Sequence, residues 1–331
     1  MTTNECYIDM HMTNIEQNSS TERVKTEFKQ LSSQVLIKDT TNYKLSIIRF
    51  VLNSEGLPIF IPTMQSATDK VNTTYSITME YNGQYYQQYM QYEPQISNPV
   101  DEDEYYYVLT YQWLIYLINK CIKSCVNGLN AKTLLNSSYP KMVYDINTKM
   151  CSISIDANEY GYNETNKINI YMNYAMYAMF TSLSSCVVNK NINGMDIQLN
   201  NMEENIITQE YSTIGLWNPI SSIVLTSNLL PIVSSISNPV QIIKNGSQVN
   251  GSSSYNFSNT VTDFTGNDLL FTPFIQYDAS VYRFISLKDH QRIQNIDIQV
   301  EWINKLTGKS NPVYIAPNGF SSIKILLTRE E

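Results

Sequence analysis

Two histidines and five cysteines in 331 residues leave little material for metal or nucleophilic chemistry. His11 lies in a polar stretch. His290 lies in Lys288-Asp-His-Gln, a polar turn where only Asp289 is placed to orient it as a general base. A structural zinc ion needs four nitrogen or sulfur ligands, and no Cys-x2-Cys or His-x3-His pair accompanies Cys121 and Cys125. Those two cysteines therefore read as packed thiols. With Cys6, Cys151 and Cys186 they make an odd, scattered set, unlike a disulfide framework. Glycine and proline number only 11 each. No glycine belongs to Gly-x-x-x-x-Gly-Lys, Gly-x-Gly-x-x-Gly or Gly-x-Ser-x-Gly, so phosphate-cradling loops and the nucleophile elbow are missing. Asp101-Glu-Asp-Glu104 lacks the glycine turn and distal glutamate of a calcium loop. No catalytic residue, cofactor or metal ligand is expected.

Charge is also scarce, at 16% of residues, with 22 basic against 30 acidic and a net charge of −8. A chain that bound nucleic acid by neutralising phosphates would carry a basic face, and no dense Lys/Arg cluster exists here. No apolar run approaches the roughly 18 to 20 residues of a membrane-spanning helix. Met1-Thr-Thr-Asn-Glu-Cys-Tyr-Ile-Asp lacks a charged-then-apolar pattern, so no secretory leader is expected there.

Tyrosine, by contrast, is abundant at 25 residues, and hydrophobic residues reach 43%, enough for a large core. Tyrosine suits pleated surfaces and contact surfaces alike, having an apolar ring and a polar tip. Asn295-Ile-Asp-Ile-Gln-Val-Glu-Trp302 alternates without a break. In a strand this buries Ile296, Ile298, Val300 and Trp302 and turns Asn295, Asp297, Gln299 and Glu301 to water. Ser322-Ile-Lys-Ile-Leu-Leu327 nearly alternates and is expected to finish inside a sheet. Thr74–Tyr81 and Gln84–Tyr92 flank Asn82-Gly83, which predicts a β-hairpin.

Tyr107, Tyr111, Leu114, Ile118, Cys121 and Cys125 recur at alternating intervals of four and three residues, which predicts one helix over about 105–126. Asp101–Glu104 are expected at its positive end and Gly128 as its stop. Tyr174-Ala-Met-Tyr-Ala-Met-Phe180 is a weaker helical patch. Further strands are expected between residues 141 and 287, and residues 245–260 read as an exposed low-complexity loop. The fold class is all-β, a jelly-roll-type β-sandwich with helical insertions. Residues 1–40 are expected to form a polar N-terminal arm. Residues 41–331 would be the β-rich domain, as one unit or as two subdomains meeting near 200–210.

Several stretches carry a family resemblance: Tyr43-Lys-Leu-Ser-Ile-Ile-Arg-Phe50 with Leu57-Pro-Ile-Phe-Ile-Pro62, and Gln209–Val224. Tyr282-Arg-Phe-Ile-Ser-Leu287, Asn295–Trp302 and Ser322–Leu327 complete the set. Together they resemble the penton-like minor capsid proteins of virophage and polinton-like icosahedral double-stranded DNA viruses, across most of 43–329. The resemblance implies a structural virion component, not an enzyme. It further implies a homo-oligomer, a pentamer at capsid vertices, that contacts the major capsid protein and assembles in the host cytoplasm or nucleus. The candidate interaction surface is Tyr85, Tyr86, Tyr89, Tyr92 and Trp217. The competing reading makes the chain a carbohydrate- or receptor-binding β-sandwich, with Tyr85, Tyr86, Tyr89 and Trp217 as stacking platforms. A third reading, a β-rich enzyme using Asp289 and His290, has the least to support it.

Overall fold

The computed structural model describes residues 5–15, 23–161, 164–188, 196–199, 205–237, 243–244, 247–248, 256–264 and 274–330. The chain divides into two compact units, and the second is an insertion into the first. The outer unit comprises Met1–Leu57 with Pro219–Glu331, and the inserted unit is Pro58–Asn218.

The outer unit is a sandwich of two antiparallel sheets. In the first, Glu5–Thr13, Phe320–Arg329, Tyr43–Asn53 and Phe274–Asp278 lie side by side in that order, and Ile285–Ser286 also pairs with Tyr43–Asn53. In the second, Ile220–Thr226 runs between Thr260–Phe264 and Ile296–Asn304. Ser310–Pro312 and Glu27–Gln30 both pair with Ile296–Asn304. The inner faces are apolar because the alternation puts them there. Ile296, Ile298, Val300 and Trp302 are all buried, as are Leu45, Phe50, Leu52, Ile323 and Ile325. Phe50 and Phe264, one from each sheet, stack with centroids 5.3 Å apart and planes within 6°. The strand Phe320–Arg329 does finish inside a sheet, with a partner on each side.

Two expectations change here. Residues 1–40 are not an arm throughout. Glu5–Thr13 pairs along its length with Phe320–Arg329, Val24–Lys25 pairs with Tyr314–Ile315, and Phe28 and Ile37 are buried. The segment looked aperiodic because its apolar residues are few and its partners lie some three hundred residues away in sequence. Asp297 does not face water: it is 3% exposed. Its carboxylate accepts the Ser227 hydroxyl at 2.6 Å and the Leu229 and Asn228 backbone N–H groups at 2.8 and 3.1 Å, clamping that turn to the strand.

The inserted unit holds a five-stranded antiparallel sheet ordered Ser185–Val188, Asp196–Leu199, Asn169–Met172, Asn72–Tyr81, Gln84–Gln91. A three-stranded sheet follows the order Ile206–Thr208, Met150–Ser154, Lys141–Asp145. The expected hairpin is present: Tyr81 faces Gln84, and Asn82 and Gly83 both have positive φ, at 47° and 74°.

The long helix spans Tyr111–Thr133 and packs on this hairpin. It starts later than predicted because the Thr110 hydroxyl caps it, accepting the Trp113 N–H at 3.3 Å. Glu102–Tyr106 is a separate 3₁₀ turn, so the acids do not sit on the helix itself. Glu104 is buried and accepts the Val100 N–H at 2.7 Å. Gly128 is not the stop. The helix continues through it and ends at Leu134, which takes a left-handed conformation with φ of 59°. Asn119 ties the helix to Lys141–Asp145. Its amide donates to the Met142 carbonyl at 2.9 Å and accepts the Met142 N–H at 2.7 Å. The weaker helical patch is the short helix Tyr174–Ala178. Most of 245–260 lies outside the described residues.

Candidate interaction surface

The predicted aromatic set divides between surface and core. Tyr85, Tyr86 and Tyr89 lie on Gln84–Gln91, half-buried, on alternating faces of the sheet. Tyr86 points at the long helix, where Gly128 leaves room for its ring, and Lys132 Nζ lies 5.3 Å from the ring centroid. The same ammonium donates to the Tyr85 carbonyl at 2.7 Å. On the edge strand of its sheet, that contact covers one backbone acceptor. Tyr89 borders a shallow cleft with Gln88, Gln91, Leu117, Lys120 and Ser124, which has room for a water-sized guest rather than a sugar ring.

Tyr92 and Trp217 are core residues, 2% and 3% exposed, and cannot form a contact surface. Tyr92 donates to the Tyr105 carbonyl and packs with the rings of Tyr105 and Tyr106 at 5.8 and 5.6 Å; burial pushes its phenol pKa up. Trp217 donates through Nε1 to the Met179 carbonyl at 2.6 Å and meets the Phe180 ring edge-on at 5.3 Å. An apolar ring with a satisfied N–H is the usual way tryptophan enters a core.

Cys121 and Cys125 are packed thiols. Cys121 Sγ donates to the Gln88 carbonyl at 3.3 Å and Cys125 Sγ to the Tyr86 carbonyl at 3.1 Å. Burial pushes the Cys125 thiol up to about 12, and Cys121 likewise upward. Among the described residues no group of three His, Cys, Asp or Glu side chains comes together as metal ligands. His290 is exposed, at positive φ, with Nδ1 3.2 Å from the Thr41 hydroxyl. No described helix is long and apolar enough to cross a membrane.

Exposed aromatic side chains that the sequence reading missed sit on the outer unit. Phe274 and Phe320, on two strands of the first sheet, are 5.1 Å apart, and Tyr282 and Phe284 are 6.1 Å apart. Tyr7, on the edge strand, is 50% exposed and Phe320 41%. Beside Tyr7, Asp9 pairs with Arg49 at 3.2 Å and Lys324 at 3.4 Å. Aromatic residues with arginine are what protein contact surfaces enrich. The available signal was parity: Phe320 occupies the polar phase of its strand.

The chain is thus β-rich and built in two units, with Cys121, Cys125 and Cys151 buried as packed thiols and aromatic side chains exposed on the outer unit. Comparison with known proteins places it in a family. The family profile for Sputnik minor capsid protein V18/19 matches residues 6–329, and the chain belongs to that family. It is a minor capsid, virion structural protein and not an enzyme. An uncharacterized protein V18 of Sputnik virophage is 27% identical over 121 residues, covering 31% of this chain and 72% of that protein. The fold is similar to a chain of the Sputnik virophage cryo-EM structure, with TM-score 0.77, 24% identity and 98% of each chain covered. It is also similar to the crystal structure of mavirus penton protein, with TM-score 0.70, 18% identity, 98% of this chain and 99% of that one.

Proposed function

We propose that the chain is a vertex protein: copies associate into a ring, five in number as the resemblance implies, and the ring contacts the major capsid protein. Family membership makes it a capsid component, and the likeness of fold to the mavirus penton protein supports the vertex position. The observation that carries self-association is the set of exposed aromatics on the outer unit, Phe274 with Phe320 and Tyr282 with Phe284, on a chain with little surface charge. Exposed aromatic clusters of this kind mark contact sites. Light scattering with negative-stain imaging of the purified protein tests it. A ring, or assembly that grows with concentration, is the expected result; a monomer at every concentration would overturn self-association. The carbohydrate-binding reading loses Trp217 to the core, and the cleft beside Tyr89 has room for a water-sized guest rather than a sugar ring.

A further inference from the structure

We infer that Glu5–Thr13 is an exchanged strand: in the assembled ring it lies against Phe320–Arg329 of a neighbouring copy instead of its own. The inference rests on the self-association proposed above and names the segment that ties the copies together.

The strand is placed to leave. It pairs with Phe320–Arg329 from Glu5 opposite Thr328 to Thr13 opposite Phe320, and among the described residues no strand pairs with its far side. Its departure breaks one ladder only. Within it Ile8 and Met10 alone are buried, whereas the receiving strand buries Ile323, Ile325, Leu326 and Leu327. The visitor is held lightly and the host strand firmly. Residues 5–15 contain no glycine or proline, so the segment keeps its pleat as a unit. The nine residues 15–23, between Asn14 and the next paired residue Val24, reach about 30 Å when extended.

The receiving edge specifies its occupant. It takes two apolar side chains at alternate positions and sets Arg49 and Lys324 around the acidic residue between them, Asp9. Lys324 also lies 5.5 Å from the Tyr7 ring centroid. Each of these partners belongs to the receiving sheet, so the same strand from a second copy meets the same apolar sites, charges and ladder. Exchange of an identical element costs little in contacts, and passed head to tail it closes a ring of any number.

Mixed disulfide trapping tests this in the full chain with Cys6→Ser and Cys186→Ser, which remove the exposed thiols. One preparation carries Asp9→Cys and the other Lys324→Cys, two facing surface positions. They are mixed, assembled and oxidised, then run on a non-reducing denaturing gel beside each alone. The expected result is a covalent dimer from the ring fraction of the mixture that neither preparation gives by itself. Rings without that dimer, while the doubly substituted chain closes its own disulfide, would overturn exchange and leave self-association standing. A mixture that stays monomeric throughout would overturn both. Glu5→Cys with Thr328→Cys repeats the test at the other end of the register and guards against poor local geometry.

Discussion

Gly128 shows how one missing side chain sets the packing of two elements. A Cβ at this position would lie 2.2 Å from the Tyr86 ring, so the helix and hairpin meet as closely as they do because nothing stands between them. Gly128→Ala should lower stability by about 1–3 kcal/mol through overpacking, read from the denaturant midpoint, and Tyr86→Leu in the same chain should restore part of it. The sequence offered the glycine but not its purpose, since a helix stop and a close approach look alike before the partner ring is known. Asp297 was hidden for a related reason. Alternation assigns a side chain to a face but says nothing of the turn that covers it.

The buried thiols give a prediction with a definite sign. Burial holds the thiols of Cys125 and Cys151 up at about 12, above their ordinary value of 9.0, and raises Cys121 as well. Folding therefore favours the protonated thiols. Their contribution to stability is whole below about pH 9 and is lost as pH rises from there toward 12. The denaturation midpoint should fall across that window. At neutral pH a thiol reagent should modify exposed Cys6 and Cys186 in the folded protein and reach all five cysteines only after unfolding.

Elements whose signals are local were legible; those set by distant partners were not. Asn82-Gly83 announced its hairpin because the turn geometry is written in two residues. The helix was read with the right face but shifted, over 105–126 instead of Tyr111–Thr133. Tyr107 continued the apolar spacing although it is extended, buried for reasons of its own, and beyond the Thr110 cap. At the other end the chain leaves the helix through Leu134, which is 92% exposed and left-handed. Leu134→Gly should raise stability by about 0.5–1 kcal/mol, because glycine adopts that conformation without the steric cost of a Cβ. An unchanged or lower melting temperature would count against this account of the helix end.

For the whole molecule, the sequence left one unit or two open, with any boundary near 200–210, and the structure divides the chain differently. A boundary near 200–210 assumes domains in series, whereas Pro58–Asn218 interrupts a sandwich whose strands come from both ends of the chain. No local pattern marks an insertion, because Tyr43–Asn53 finds its neighbours only after residue 273. Two expectations follow. Residues 58–218 expressed alone should unfold cooperatively, with dispersed amide spectra, and residues 1–57 alone should show neither property. Phe320→Ala with Tyr282→Ala should leave the melting temperature nearly unchanged while weakening assembly, by roughly 2 kcal/mol if either is a dominant contact, seen as a higher concentration threshold in light scattering.

The insertion also fixes the order of events on the ribosome. Residues 58–218 carry their own sheet partners and can fold as soon as they have emerged. Tyr43–Asn53, made before them, must wait as an unpaired ribbon until residues 274–329 have been synthesised. A chain halted before Phe320 would hold a folded insertion beside an open sandwich, because Glu5–Thr13 and Tyr43–Asn53 both need Phe320–Arg329 as a partner.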